Sequence, residues 1–204
     1  MKSSQEMSRY QARRRVAVGI LVALLFATLL FVRSAWPDRV HEYIEAFGIG
    51  IIIIAILGRM WCTLYIGGRK SAEIVRDGPY SVTRNPLYVF STVGAFGIGC
   101  MTGSLIVALL VAAICFFAFH FVILAEEDYL ANNFGEPYRA YMKAVPRFFP
   151  RLALFRDSGM LMVMPGRLYN TFFDGLVFLI AYPLFEFIEY LQDIGTIPVL
   201  LRLY

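Results

Sequence analysis

The sequence predicts an all-α membrane protein of about five transmembrane helices, with a tight helical hairpin and a helical cap along the cytosolic interface. Three observations carry this. Hydrophobic residues make up 59% of the 204-residue chain, and mean hydropathy is +0.63, well away from soluble domains. Apolar windows recur at about the 20-residue length that a spanning helix needs. Lysine and arginine gather on alternate connecting segments, as orientation in a membrane requires.

Val16–Val32 is the expected first span. Arg13-Arg14-Arg15 before it suggests a signal peptide, but the apolar run is long for one and no clear A-x-A site follows, so it reads as an uncleaved helix. Ile44–Ile66, built around GIGIIIIAIL, is the second. Leu87–Met101 and Ser104–Leu124 are the third and fourth, separated by Thr102-Gly103 alone, and a fifth runs from about Phe172 to Tyr190. The chain thus divides into a basic cytosolic stretch (1–15), two spans (16–66), a core of loop, hairpin and cap (67–157) and a C-terminal span (158–204).

Charge sets the orientation. Lys2, Arg9 and Arg13–Arg15 place the N-terminal flank inside; Arg69, Lys70, Arg76 and Arg84 do the same for the next-but-one loop. Arg139, Lys143, Arg147, Arg151, Arg156 and Arg167 follow the fourth span, whereas Thr102-Gly103 is uncharged and only Arg202 follows the fifth. The reading is five spans, N-terminus inside and C-terminus outside, the basic flanks also meeting anionic headgroups. Gly94, Gly97, Gly99 and Gly103 would let the third and fourth helices approach closely.

Cys62, Cys100 and Cys115 are odd in number, and their spacing suits neither zinc nor a disulfide framework. They read as small buried apolar side chains. With only two histidines, no metal is expected, nor a nucleic-acid partner; the oligomeric state is open.

Chemistry concentrates at the inner ends of the hairpin. GPYSVTRNPLY, Gly78–Tyr88, precedes the third span; Glu126-Glu127 ends the fourth, followed by FGEPYRAYMKAVPRFFP, Phe134–Pro150. Ionisable groups at a membrane border are costly and point to function. Pro86 suits a first helical turn and Asn85 an N-cap. Tyr80 reads as an aromatic wall beside Asn85, Pro86 and Tyr88, and Arg84 as fixed positive charge. Leu130, Phe134, Tyr138, Tyr141 and Val145 recur at helical spacing, interrupted by Gly135-Glu136-Pro137, which suggests two short interfacial helices. His120, inside the fourth span, reads as a packed histidine with proton handling as the alternative.

The ordered set G-P-Y, R-N-P-x-Y, E-E, F-G-x-x-Y-x-x-Y and V-P-R-F-x-P, over about residues 58–150, resembles the isoprenylcysteine carboxyl methyltransferase and phospholipid methyltransferase superfamily. The resemblance implies S-adenosylmethionine as cofactor, held between the cytosolic helix ends and the cap by Ala72, Glu73, Ile74, Val75, Tyr80, Asn85, Pro86, Leu87, Tyr88 and Glu126. It implies a lipophilic methyl acceptor arriving from the bilayer, with Arg84 or Arg147 orienting an anionic one, or Glu127 taking a proton from an amine. It also implies a bacterial inner-membrane location with the active site facing the cytoplasm. Two departures stand out. Asn85 replaces a commoner histidine and cannot titrate near neutrality; Val122 replaces an arginine that contacts substrate in eukaryotic prenylcysteine enzymes. A phospholipid N-methyltransferase is the nearest alternative, a non-catalytic membrane module or transporter subunit the more distant one. A sterol-reductase-like enzyme would be a longer chain with more spans.

Overall fold

A computed structural model describes Leu24 and residues 27–69 and 72–204. The expected first span lies mostly outside the described residues, and its last residue, Val32, opens a strand instead. β1 (Val32–Ser34) pairs in parallel with β2 (Leu201–Leu203), with Val32 opposite Leu201.

α1 (Asp38–Ile66) begins six residues before the expected Ile44, because Pro37 fixes the preceding turn and nothing from Asp38 onward breaks a helix. A four-residue helix, α2 (Pro79–Val82), precedes α3 (Pro86–Cys100). Then α4 (Leu105–Phe134) runs ten residues past the expected end at Leu124. It stops only at Gly135, whose φ of +63° suits glycine. Glu126 and Glu127 therefore sit within a continuous helix rather than at its exit. The cap is accordingly one helix, α5 (Glu136–Ala144), and the stretch expected to form its partner is the last turn of α4.

α6 (Pro165–Leu176) continues through a 3-10 segment, Val177–Ile180, into α7 (Ala181–Asp193). Three helical stretches among the described residues are long and apolar enough to cross a membrane: Asp38–Ile66, Leu105–Phe134 and Pro165–Asp193. α3, with 15 residues, is the shorter apolar helix between them.

The core joins α1, α3, α4 and α7 through Ile44, Ile52, Ile56, Cys100, Ala108, Ala181, Phe185 and Ile188. α3 and α4 touch at Gly99, where an added Cβ would come within 2.4 Å of Ala108 Cα. Ile53, Ile54, Leu57, Leu109, Leu110, Phe117 and Phe121 point outward. Such an exterior suits lipid, where backbone polar groups are satisfied within each helix and the apolar side chains lose nothing by exposure.

Candidate active site

The two motif halves meet around one carboxylate. Glu127, on α4, has a side chain only 2% exposed. Arg84, from the link between α2 and α3, donates to it through Nε to Oε1 at 2.9 Å and Nη2 to Oε2 at 3.1 Å. Arg147, beyond α5, donates from Nε to Oε2 at 2.9 Å, and Asn85 Nδ2 donates to Oε1 at 3.1 Å. A buried carboxylate is tolerable only when its lone pairs are taken up in this way.

The donors are anchored in turn. Arg84 Nη1 binds the carbonyls of Met142 and Val145, two of the unsatisfied groups at the C-terminal end of α5. Asn85 Nδ2 also reaches the Arg147 carbonyl at 3.0 Å, and Thr83 Oγ1 donates to the carbonyls of Arg147 and Phe148. Asn85 stands at the N-cap position of α3, but its side chain makes no capping bond; it serves the carboxylate instead. Tyr141 Oη donates to the Tyr80 carbonyl at 2.7 Å, and Arg76 Nη2 to the Pro137 carbonyl at 2.8 Å. Through these bonds α5 is clamped over the ends of α3 and α4.

Beneath the clamp is a cleft lined by residues that include Glu73, Ile74, Val75, Tyr80, Arg84, Asn85, Leu87, Tyr88, Glu126, Tyr138 and Tyr141. Tyr88 Oη donates to Glu126 Oε2 at 2.9 Å, so this carboxylate has a fixed aromatic neighbour. Burial pushes the phenol of Tyr80 well above its ordinary range. Burial, assisted by Glu127, raises Tyr138 to about 12, and burial raises Tyr141 as well. These tyrosines are neutral walls at neutral pH. At the rim, a hydrogen bond from Arg69 lowers Glu73 below its usual carboxylate value.

Eight of the ten expected cofactor-site residues line the cleft; Ala72 and Pro86 do not. Pro86 instead faces a second, apolar groove, with Trp61, Val82, Phe90, Leu152 and Phe155. Among the three expected catalytic residues, only Arg84 borders the cleft. The expectation of Glu127 as an alternative base conflicts with this geometry, since Arg84, Arg147 and Asn85 occupy both oxygens and its side chain is sealed from the cleft. His120 lies against Phe116 and Phe121, away from the cleft lining.

Arg59 is a polar residue that sequence reasoning overlooked. It lies within α1, bonds Ser91 Oγ, and stands over the Phe178 ring with 5.5 Å from its guanidinium carbon to the centroid. The signal was available, because an ionisable residue inside an apolar span is exceptional.

Comparison with known proteins assigns this arrangement to a lineage. The phospholipid methyltransferase family profile matches residues 43–137, which hold most of α1, all of α2 to α4 and the start of the cap. The protein-S-isoprenylcysteine O-methyltransferase of Schizosaccharomyces pombe is 35% identical over 81 residues, 40% of this chain and 34% of that one. The chain belongs to the isoprenylcysteine carboxyl methyltransferase and phospholipid methyltransferase superfamily. Similarity also covers most of the length of two further proteins. The nickel-cobalt-cadmium resistance protein NccN of Alcaligenes xylosoxydans xylosoxydans is 35% identical over 175 residues, 85% of this chain and 82% of its own. The cobalt-zinc-cadmium resistance protein CzcN of Cupriavidus metallidurans is 33% identical over 202 residues, 98% of this chain and 93% of its own. No solved structure gives a significant match.

Proposed function

We propose that the protein is an integral-membrane methyltransferase that uses S-adenosylmethionine to methylate a lipid-like or prenylated acceptor. The carrying observation is the cleft, where a carboxylate, Glu126, and four tyrosines line one concavity. A cationic donor fits such a lining. Glu126 would hold its ammonium group, and Tyr80, Tyr88, Tyr138 and Tyr141 offer ring faces to positive charge. When bound, S-adenosylmethionine supplies a methyl group on an electrophilic sulfonium sulfur.

The chain's own contribution is alignment and exclusion of water. Methyl transfer is an in-line displacement without a covalent enzyme intermediate, and holding the partners in line can contribute about 7–11 kcal/mol in favourable systems. Arg84 and Arg147 act as positioning residues that fix α5 over the cleft through Glu127. The apolar groove behind Pro86 supports an acceptor with a hydrocarbon tail. The matched family profile favours a second reading, phospholipid N-methylation. The names of the two resistance-protein relatives add a physiological setting: methylation of a membrane component under divalent-metal load.

Calorimetry of S-adenosylmethionine on detergent-purified protein tests the cofactor site. Micromolar binding is expected, lost in Glu126→Ala and Tyr88→Ala. Folded wild type that binds none, in detergent and again in lipid nanodiscs, would sink the reading. Mass spectrometry of lipids after incubation with labelled cofactor then separates a prenylated acceptor from a phospholipid amine.

A further inference from the structure

Far from the cleft, three metal-ligating side chains converge. His41 and Glu45, four residues apart near the start of α1, share one helical face. Glu189 reaches them from α7, which packs alongside through Ile44, Phe185 and Ile188. His41 Nε2 lies 3.3 Å from Glu45 Oε1 and 3.1 Å from Glu189 Oε1, with side-chain exposures of 13%, 8% and 23% respectively. All three ligand atoms fall within 4.8 Å of one another. The imidazole is held from behind as well. Gly103, in the turn between α3 and α4, lies so close that a Cβ there would stand 1.9 Å from His41 Nδ1. Ser34 Oγ fixes that turn by donating to the Gly103 carbonyl at 2.9 Å.

We propose that His41, Glu45 and Glu189 form a site for a divalent transition-metal ion of the zinc, cobalt or nickel class. Zinc bonds to imidazole and carboxylate are about 2.0–2.2 Å, so a tetrahedron built from them has edges of about 3.3–3.6 Å. The His41–Glu45 separation, 3.3 Å, lies at the short end of that range, and the His41–Glu189 separation, 3.1 Å, lies just below it, so an ion would spread the ligands slightly. Without a metal, the Nε2 proton of an imidazolium shared between the two carboxylates holds the cluster together, and a divalent ion would take that proton's place. Once the ion has displaced that proton, two carboxylates and a neutral imidazole sum to two negative charges, which one divalent ion neutralises. The mixed nitrogen and oxygen donor set, without thiolate, selects against soft monovalent copper. Three protein ligands leave a coordination position for water.

Along α1, a rise of ~1.5 Å per residue separates His41 from Tyr65, beside the cleft, by ~36 Å. The site is therefore independent of the methyl-transfer reading and would tie the start of α1 to the end of α7. The three ligands come together only through folding, which is why residue spacing predicts no metal.

The test uses full-length protein without a polyhistidine tag, purified in detergent and stripped with chelator. Titration with Co2+, followed by visible absorption, should show one saturable equivalent that Zn2+ displaces. Glu189→Gln and His41→Asn should each weaken binding at least tenfold while keeping the wild-type helical circular dichroism in metal-free buffer. Saturating Zn2+ should also raise the wild-type midpoint, as any ligand specific to the folded state does. Absence of a saturable Co2+ spectrum in wild type overturns the proposal without recourse to variants. So does an unmoved midpoint in Zn2+, or undiminished wild-type affinity in both variants.

Discussion

Glu127, on α4, holds side chains from two other segments, and its substitution should report that directly. In Glu127→Gln the charge between Arg84 and Arg147 disappears while both cations stay where they are. Breaking a buried ion pair typically costs about 3–5 kcal/mol. Thermal unfolding in detergent should show a large fall in midpoint, and a double replacement of Arg84 and Glu127 by leucine should fall less than the two single changes combined. An unchanged midpoint would refute the clamp. The tyrosines make a separate prediction. Tyr138 titrates near 10 when unfolded and at about 12 when folded. Below about pH 10 both states keep the proton, and the stabilisation is complete. Above that, the unfolded chain ionises first and binds fewer protons, so stability falls as pH rises and is lost through the folded value. Denaturant midpoints measured from about pH 9 to 11 should decline, and Tyr138→Phe should flatten the decline.

At the scale of elements, the hairpin of α3 and α4 determines where the motifs meet. Gly99 permits its close approach, and the opposite case is Gly50, around which a Cβ would meet nothing within 4 Å. Gly99→Ala should destabilise by roughly 1–3 kcal/mol through overpacking, whereas Gly50→Ala should be neutral or slightly stabilising through helix propensity. Comparing their unfolding midpoints tests whether the hairpin contact is as tight as described. This contact is legible in the sequence, since small residues at short spacing beside a two-residue turn leave few other arrangements. The length of α4 is not. Hydropathy falls after Leu124, but a hydropathy window records solvent preference, and the backbone continues because Glu127 finds partners outside its own helix. For the same reason the proximity of R-N-P and E-E is readable from topology, while the closed coordination of Glu127, which removes it from the cleft, depends on Arg147 and the cap folding back.

The whole molecule has two specialised ends joined by the long helix α1: a cleft beneath α5, and the His41–Glu45–Glu189 cluster beside the turn at Gly103. Sequence patterns disclose the first, because its residues fall within contiguous motifs. They do not disclose the two strands, each three residues long, whose existence depends on partners about 170 residues apart. The end at Gly103 is tied by residues 201–204. Beyond the strand pairing, Ile106 N and Ser104 Oγ both donate to the Tyr204 main-chain oxygen at 2.8 Å, and Trp36 packs edge-on against the Tyr204 ring. Deleting residues 201–204 should lower the unfolding midpoint and leave Ser34 and Trp36 open to solvent, readable as a red shift in tryptophan emission. An unaltered spectrum and midpoint would show the tie to be incidental. This seam also orders biosynthesis. The helices can enter the bilayer one by one as they leave the ribosome, but β1, made early, has no mate until residue 203 has been released. A nascent chain arrested anywhere before that point carries an unpaired strand edge, so this seam closes only after every helix from α1 to α7 has been made.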